Sequence, residues 1–178
     1  MLGAVGSGKS FLLSALAQLQ VNYKINTRCP LHFCMKKSNL KRAEVSIKWN
    51  ARSQYKDEAA WPKVSLDDWE GAIAQVAAAQ ALLLKLSGCE VVSDMIEVNV
   101  YGPECVNLTL VDLPGIMGTV GKEETERLIA ETKKLIESYL SDPRCAILAI
   151  QPAIADIFDY DAYEVDPVRC LVLHEVSR

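Results

Sequence analysis

The eight residues Gly3-Ala4-Val5-Gly6-Ser7-Gly8-Lys9-Ser10 constrain the fold more than any other stretch of the chain. They satisfy the pattern G-x-x-x-x-G-K-[S/T] and run directly into SFLLSALAQLQ, residues 10–20. That segment is rich in helix formers and sets Leu12, Leu13, Leu16 and Leu19 on one apolar side. The chemistry requires this layout. Gly3, Gly6 and Gly8 let backbone N–H groups, Ser7 among them, turn inward around phosphate oxygens, and a helix N-terminus adds a favourable dipole. Lys9 is spaced to reach the β- and γ-phosphates of a nucleotide, and the Ser10 hydroxyl to ligate Mg2+. A glycine-rich turn that matches by accident is the alternative, and the helical pattern that follows argues against it.

The rest of the chain alternates helical and strand patterns. A strand is expected near Leu31 to Met35, a helix from about Asp68 to Leu86 capped at Gly88, and a half-buried strand from Met95 to Tyr101. NLTLV (107–111) is a short run of β-formers ending at Asp112. Lys122 to Leu140 is amphipathic, with Leu128, Ile129, Leu135, Ile136 and Tyr139 on one face. CAILAI (145–150) and Cys170 to Leu173 are continuous apolar runs, as expected of strands covered on both faces. The polar stretch Ser38 to Asp68 receives no element. Helices alternating with buried strands indicate an α/β fold: a three-layer P-loop NTPase with a mostly parallel central sheet, incomplete at both ends.

Composition removes several other classes. A net charge of −4 gives no global case for nucleic acid or an anionic membrane. The local basic stretch Lys36, Lys37, Lys41 and Arg42 reads as a solvated loop. Six scattered cysteines without a CxxC pair, and only His32 and His174 beside them, provide no zinc spacing and suit reduced thiols in a cytosolic protein. Cys145 and Cys170 sit in apolar runs as small hydrophobes. The longest apolar stretch, Ala72 to Leu86, is broken by Gln75, Gln80 and Lys85, so it reads as a buried helix rather than a membrane span. No signal peptide precedes the first motif, and a soluble protein is expected.

Two further motifs follow the phosphate loop. Asp112-Leu113-Pro114-Gly115 closes the strand LTLV. A strand-end carboxylate there can hold hydrated Mg2+, and Gly115 lets its own N–H approach a γ-phosphate. Thr27-Arg28-Cys29-Pro30-Leu31 offers a threonine in the chain position where GTPases complete Mg2+ coordination and sense the γ-phosphate. Arg28 is a secondary candidate for stabilising transition-state charge.

With these stretches in order (GSGKSFLLSAL, TRCPLHF, NLTLVDLPGI, ETKKLIESYLSDPRCAILAI and EVDP) the sequence resembles the dynamin superfamily of large GTPases. TRCPL is similar to the interferon-induced antiviral branch as much as to the membrane-fission branch. The resemblance implies GTP hydrolysis to GDP and phosphate with Mg2+. It also implies self-association with dynamin-like chains, and membrane remodelling or microtubule contact through regions beyond this chain. A cytoplasmic location, peripheral at membranes, follows from it. Gly8, Lys9 and Ser10 match the family's phosphate loop, Thr27 its switch threonine, and Asp112 and Gly115 its second switch. The resemblance assigns catalysis to Lys9 and Thr27 and the metal to Ser10, Thr27 and Asp112.

The chain departs from the family in three places. Val5 and Gly6 stand where dynamins carry glutamine and serine, which order the attacking water and an auxiliary cation. His174-Glu175-Val176-Ser177 replaces the Thr-Lys-x-Asp motif that reads guanine. Only Met1 and Leu2 precede the phosphate loop. Residues 1–178 are therefore expected to form a partial GTPase domain without its first strand, its guanine motif or a stalk. The acidic stretch DIFDYDAYE (156–164) looks shorter than the family's helix there. Two alternatives stay open: a non-catalytic remnant that acts as an interaction module, and an ABC-type ATPase, suggested by GAVGSGKS and by Leu86-Ser87-Gly88-Cys89-Glu90.

Overall fold

The computed structural model describes residues 8–9, 12–13, 26–50, 53, 55, 64–66, 69–115, 123–152 and 170–175. The chain divides into two compact units, Ser10–Leu113 and Met1–Lys9 together with Pro114–Arg178. Of the expected first helix, Leu12 and Leu13 are helical and Leu13 is fully buried. Its remainder lies outside the described residues, as does the acidic stretch 156–164.

Beyond Leu12 and Leu13, the described residues of the unit Ser10–Leu113 form a sheet with a helix laid on it. Its elements are β1 (Leu31–Lys37), β2 (Arg42–Lys48), β3 (Val64–Leu66), α1 (Trp69–Ser87), β4 (Met95–Gly102) and β5 (Leu108–Asp112). The strand order is β3-β2-β4-β1-β5. Cross-strand pairing aligns Phe33 with Val98 and Val98 with Val45, while Leu31, Ile96 and Ile47 form the neighbouring row. Paired residues share a face, so period-two alternation in three strands produces one continuous apolar surface. All six of those side chains are buried. Helix α1 covers β2, β3 and β4 and buries Ala72, Val76, Ala79 and Leu83, which recur every three or four residues. Each large aliphatic group buried this way stabilises the unit by about 1.5–3 kcal/mol. Gly88 ends the helix in the left-handed region (φ +63°), and its N–H donates to the Leu84 carbonyl at 3.0 Å.

Three expectations change. The five-stranded sheet is mixed rather than mostly parallel: β1 pairs parallel only with β4 and antiparallel with β5, and β2 is antiparallel to both β3 and β4. The short connections between β1 and β2 and between β4 and β5 reverse chain direction, and each passes over one strand: β4 lies between β1 and β2, and β1 between β4 and β5. Because β1 and β4 are parallel, the returning strands β2 and β5 lie antiparallel to the strand they reach. Second, the unassigned stretch 38–68 contains β2 and β3. Strand β2 carries a period-two alternation of Arg42, Glu44 and Lys48 with Ala43, Val45 and Ile47, a short signal inside a stretch that is otherwise polar and mixed. Third, α1 is buried on one side only, with Ala74, Ala77, Ala78, Ala81 and Lys85 exposed.

The basic stretch is not a free loop either. Lys36 and Lys37 end β1 and Arg42 begins β2. Lys36 Nζ donates to Asn99 Oδ1 at 3.0 Å, and the Arg42 guanidinium lies 4.3 Å from the Tyr101 ring centroid.

The other unit contains α2 (Glu123–Leu140), β6 (Ile147–Pro152) and β7 (Cys170–Glu175). Leu128, Thr132, Leu135 and Ile136 are buried along α2, while Glu126, Arg127, Lys133 and Lys134 are exposed, as the amphipathic pattern predicts. Strands β6 and β7 pair in parallel, with Ile147 opposite Cys170. Cys145 lies ahead of β6 in a turn, outside the apolar strand expected to contain it. No described helix is long and apolar enough to cross a membrane.

Candidate functional site

The motif residues fall into both units, and the geometry of each is local. Gly3, Gly6, Ser7 and Ser10 lie outside the described residues. Gly8 has φ +82°, a left-handed conformation that costs an L-residue about 1–2 kcal/mol and explains the glycine. Lys9 follows as a helical residue only 6% exposed. A buried ammonium demands an anionic or hydrogen-bonding environment, so Lys9 is not an ordinary surface lysine. Gly115 is half-buried three residues past the end of β5.

In the unit Ser10–Leu113 the structure brings two motif residues together. Antiparallel pairing of β1 with β5 sets Leu31 opposite Asp112, so the segment entering β1 runs beside the end of β5. Four residues before Leu31, Thr27 Oγ1 donates a 2.9 Å hydrogen bond to Asp112 Oδ2, across 85 residues of sequence. Thr27 is 8% exposed and Asp112 wholly buried. Burying a carboxylate in this way is unfavourable unless donors or a cation compensate it.

The segment carrying Thr27 is held from several directions. The Gln80 amide on α1 accepts from Arg28 N–H at 2.9 Å through Oε1 and donates to the Asn26 carbonyl at 2.9 Å through Nε2. Cys29 Sγ lies 3.7 Å from the same Oε1. Burial first, then the charges of Asp112 and Asp94, push the Cys29 thiol up to about 12, so it remains a protonated, weak donor. Backbone bonds from Val92 N–H to the Arg28 carbonyl and from Ile96 N–H to the Pro30 carbonyl complete the fixation. The Arg28 guanidinium itself pairs with Glu90 at 3.4 Å, with both groups partly exposed. That contact occupies the side chain considered above as a charge stabiliser.

A hydroxyl and a carboxylate are hard oxygen donors and fit Mg2+. No cluster of three or more His, Cys, Asp or Glu able to hold a metal occurs among the described residues. Such a cluster is not needed for Mg2+ that arrives with a nucleotide, because one or two protein ligands then suffice beside phosphates and water. The donor set therefore fits.

A family model described as Dynamin family matches residues 1–166. The chain belongs to the dynamin family. It is 29% identical over 175 residues to Phragmoplastin DRP1A of Arabidopsis thaliana, covering 94% of this chain and 27% of that protein. To Interferon-induced GTP-binding protein Mx1 of Rattus norvegicus it is 31% identical over 173 residues, covering 94% of this chain and 25% of the relative. A stretch of 76 residues, 40% of the chain, is 40% identical to Dynamin-related protein 5A of Glycine max, 12% of whose length it covers. The chain thus spans about a quarter of the length of the relatives it matches end to end.

Membership in the dynamin family implies the P-loop GTPase fold. It also replaces the ABC-type alternative: Leu86 to Glu90 is the end of α1 and its glycine cap. Sequence reasoning missed Gln80 as a site residue. The signal was present, since a glutamine stands at a core-facing position between Val76 and Leu83, where the helix otherwise buries apolar groups.

Proposed function

We propose that this chain is a dynamin-type GTPase domain, partial over residues 1–178, that binds GTP with Mg2+ and hydrolyses it to GDP and phosphate. The observation that carries the reading is the Thr27–Asp112 hydrogen bond, which unites two motif residues of the kind that ligate or orient nucleotide-bound Mg2+. The order of motifs, with the phosphate loop ahead of both, supports it.

In this reading each residue has a separate task. The backbone N–H groups of Gly3, Gly6, Ser7 and Gly8 bind phosphate oxygens, and Lys9 holds its ammonium against the β- and γ-phosphates. The hydroxyls of Ser10 and Thr27, with the Asp112 carboxylate, would hold the metal. Gly115 N–H donates to the γ-phosphate. When bound, Mg2+ supplies charge neutralisation at the phosphates. Water attacks the γ-phosphorus in line and gives up a proton to the phosphate it forms, the bond to the β–γ bridging oxygen breaks, and the charge that gathers on that oxygen is stabilised by Lys9 and backbone donors. Self-association with other dynamin-family chains, and a cytoplasmic, membrane-peripheral setting, are the partners and place that accompany this reading.

The test is equilibrium binding of fluorescent GTP and ATP analogues, with and without Mg2+, to the wild-type chain and Lys9→Ala. A Mg2+-dependent preference for GTP that is lost in Lys9→Ala is expected. Binding retained in Lys9→Ala would remove the phosphate-loop assignment, and a folded chain that binds neither nucleotide would make it a non-catalytic interaction module.

A further inference from the structure

Helix α1 contributes one buried polar side chain to the segment that precedes β1, and that side chain reaches the two residues flanking Thr27. Gln80 is 8% exposed. Its Nε2 donates to the carbonyl of Asn26 and its Oε1 accepts from the N–H of Arg28, each at 2.9 Å. The amide therefore brackets Thr27 through the backbone on either side and uses both halves of its donor–acceptor pair. The same residue pairs its neighbourhood with Cys29, whose thiol lies 3.7 Å from Oε1.

A glutamine is an expensive choice for a core position if packing alone matters. Val76, Ala79 and Leu83 around it are apolar, and a leucine or methionine of similar volume would bury without needing partners. The geometry has a further consequence. Fixing the backbone at Asn26 and Arg28 fixes the direction of the Thr27 Cα–Cβ bond, and with it where Oγ1 points. In this structure it points to Asp112 Oδ2 at 2.9 Å.

We infer that Gln80 is a positioning residue for the nucleotide's metal: its amide holds Thr27 with the hydroxyl aimed along the Asp112 carboxylate. It acts through Thr27 and touches neither metal nor nucleotide. The inference rests on the reading of Thr27 as a Mg2+-directed residue. It adds that the order of the Thr27 segment is built into α1 rather than supplied wholly by the ligand. Loss of the amide leaves the segment freer, and ordering it on binding then reduces affinity for the metal-bearing nucleotide.

The experiment uses the full chain and two variants, Gln80→Met, which keeps the volume, and Gln80→Glu, which keeps the acceptor but removes the donor to Asn26. Two quantities are measured: amide hydrogen exchange at Arg28 without nucleotide, and binding of a fluorescent GTP analogue across a Mg2+ titration and in EDTA. In Gln80→Met, exchange at Arg28 is expected to accelerate by on the order of tenfold, matching the loss of one buried hydrogen bond. The Mg2+ concentration for half-maximal binding is expected to rise by a similar factor, on the order of tenfold, while the weaker binding in EDTA stays unchanged. Gln80→Glu, which keeps the acceptor of Arg28 N–H and loses the bond to Asn26, is expected to raise the Mg2+ requirement in the same direction with little change in exchange at Arg28, and it keeps the test available if Gln80→Met does not fold.

A merely structural role would lower binding with and without Mg2+ alike, and that result would overturn the inference. So would an unchanged Mg2+ titration, whether or not exchange at Arg28 accelerates. Failure of the wild-type chain to bind nucleotide at all is a different result: it removes the reading of Thr27 and the inference with it.

Discussion

Replacing Thr27 by valine tests the central contact without disturbing shape, because the two side chains are isosteric. The hydroxyl of Thr27 donates to Asp112 Oδ2 at 2.9 Å, with the carboxylate fully buried and the threonine nearly so. Water cannot easily replace the lost donor at such depth. A hydrogen bond to a charged group contributes about 1.5–3 kcal/mol, so Thr27→Val is expected to destabilise the unit Ser10–Leu113 by about 2 kcal/mol. With a urea m-value of about 2 kcal/mol per molar, the midpoint falls by about 1 M. The chain's three tryptophans, Trp49, Trp61 and Trp69, all belong to that unit, so their fluorescence follows its unfolding. Thr27→Ser keeps the hydroxyl and loses one methyl group, a change of about 0.8 kcal/mol. A cycle with Asp112→Asn is expected to show coupling of about 1–2 kcal/mol. An unchanged midpoint in Thr27→Val, or an equal loss in Thr27→Ser, would refute the claim that this contact fixes the segment before β1.

Gly88→Ala is expected to cost about 1–2 kcal/mol in the same assay: the strain of φ +63° applies although open space surrounds the position. Gly88→Asn should lose less, since asparagine tolerates the left-handed region. His32 supplies a pH dependence. Burial lowers its pKa, with Glu97 across the sheet partly opposing the shift. The unfolded chain therefore takes up this proton first. Stability is expected to fall as pH drops below about 6.5 and to level off once pH is below the lowered native value. His32→Gln should flatten that segment of the curve, and an identical slope in the variant would exclude His32 as its source.

Much of the arrangement was legible in the sequence because local physics dictates it. The helix over 69–87 and its stop are set by an alanine- and leucine-rich run followed by a residue able to adopt positive φ. The half-buried strand over 95–102 and the amphipathic helix over 123–140 follow from periods of two and 3.6. Sequence order also singled out Thr27 and the strand-end Asp112, which the structure joins by a hydrogen bond. Strand β2 was harder, because its alternation spans seven residues within a polar, mixed stretch and its pairing with β4 lies about 50 residues away in sequence.

What the sequence alone determined is thus most of the longer elements, the order of the motifs and the family to which they belong. Only the tertiary structure decided which strands neighbour one another, because register is settled by side-chain packing between segments far apart in the chain. Sequence order alone suggested a mostly parallel sheet; the pairing of β5 against β1 made it mixed and set Asp112 opposite Leu31. That pairing carried Thr27 to Asp112. It was likewise the packing of α1 on the sheet that turned Gln80, an interruption in an apolar run, into the side chain that brackets Thr27. Hydrogen bonds spanning 52 and 85 residues leave no local trace in sequence, since neither partner's own neighbourhood requires the other.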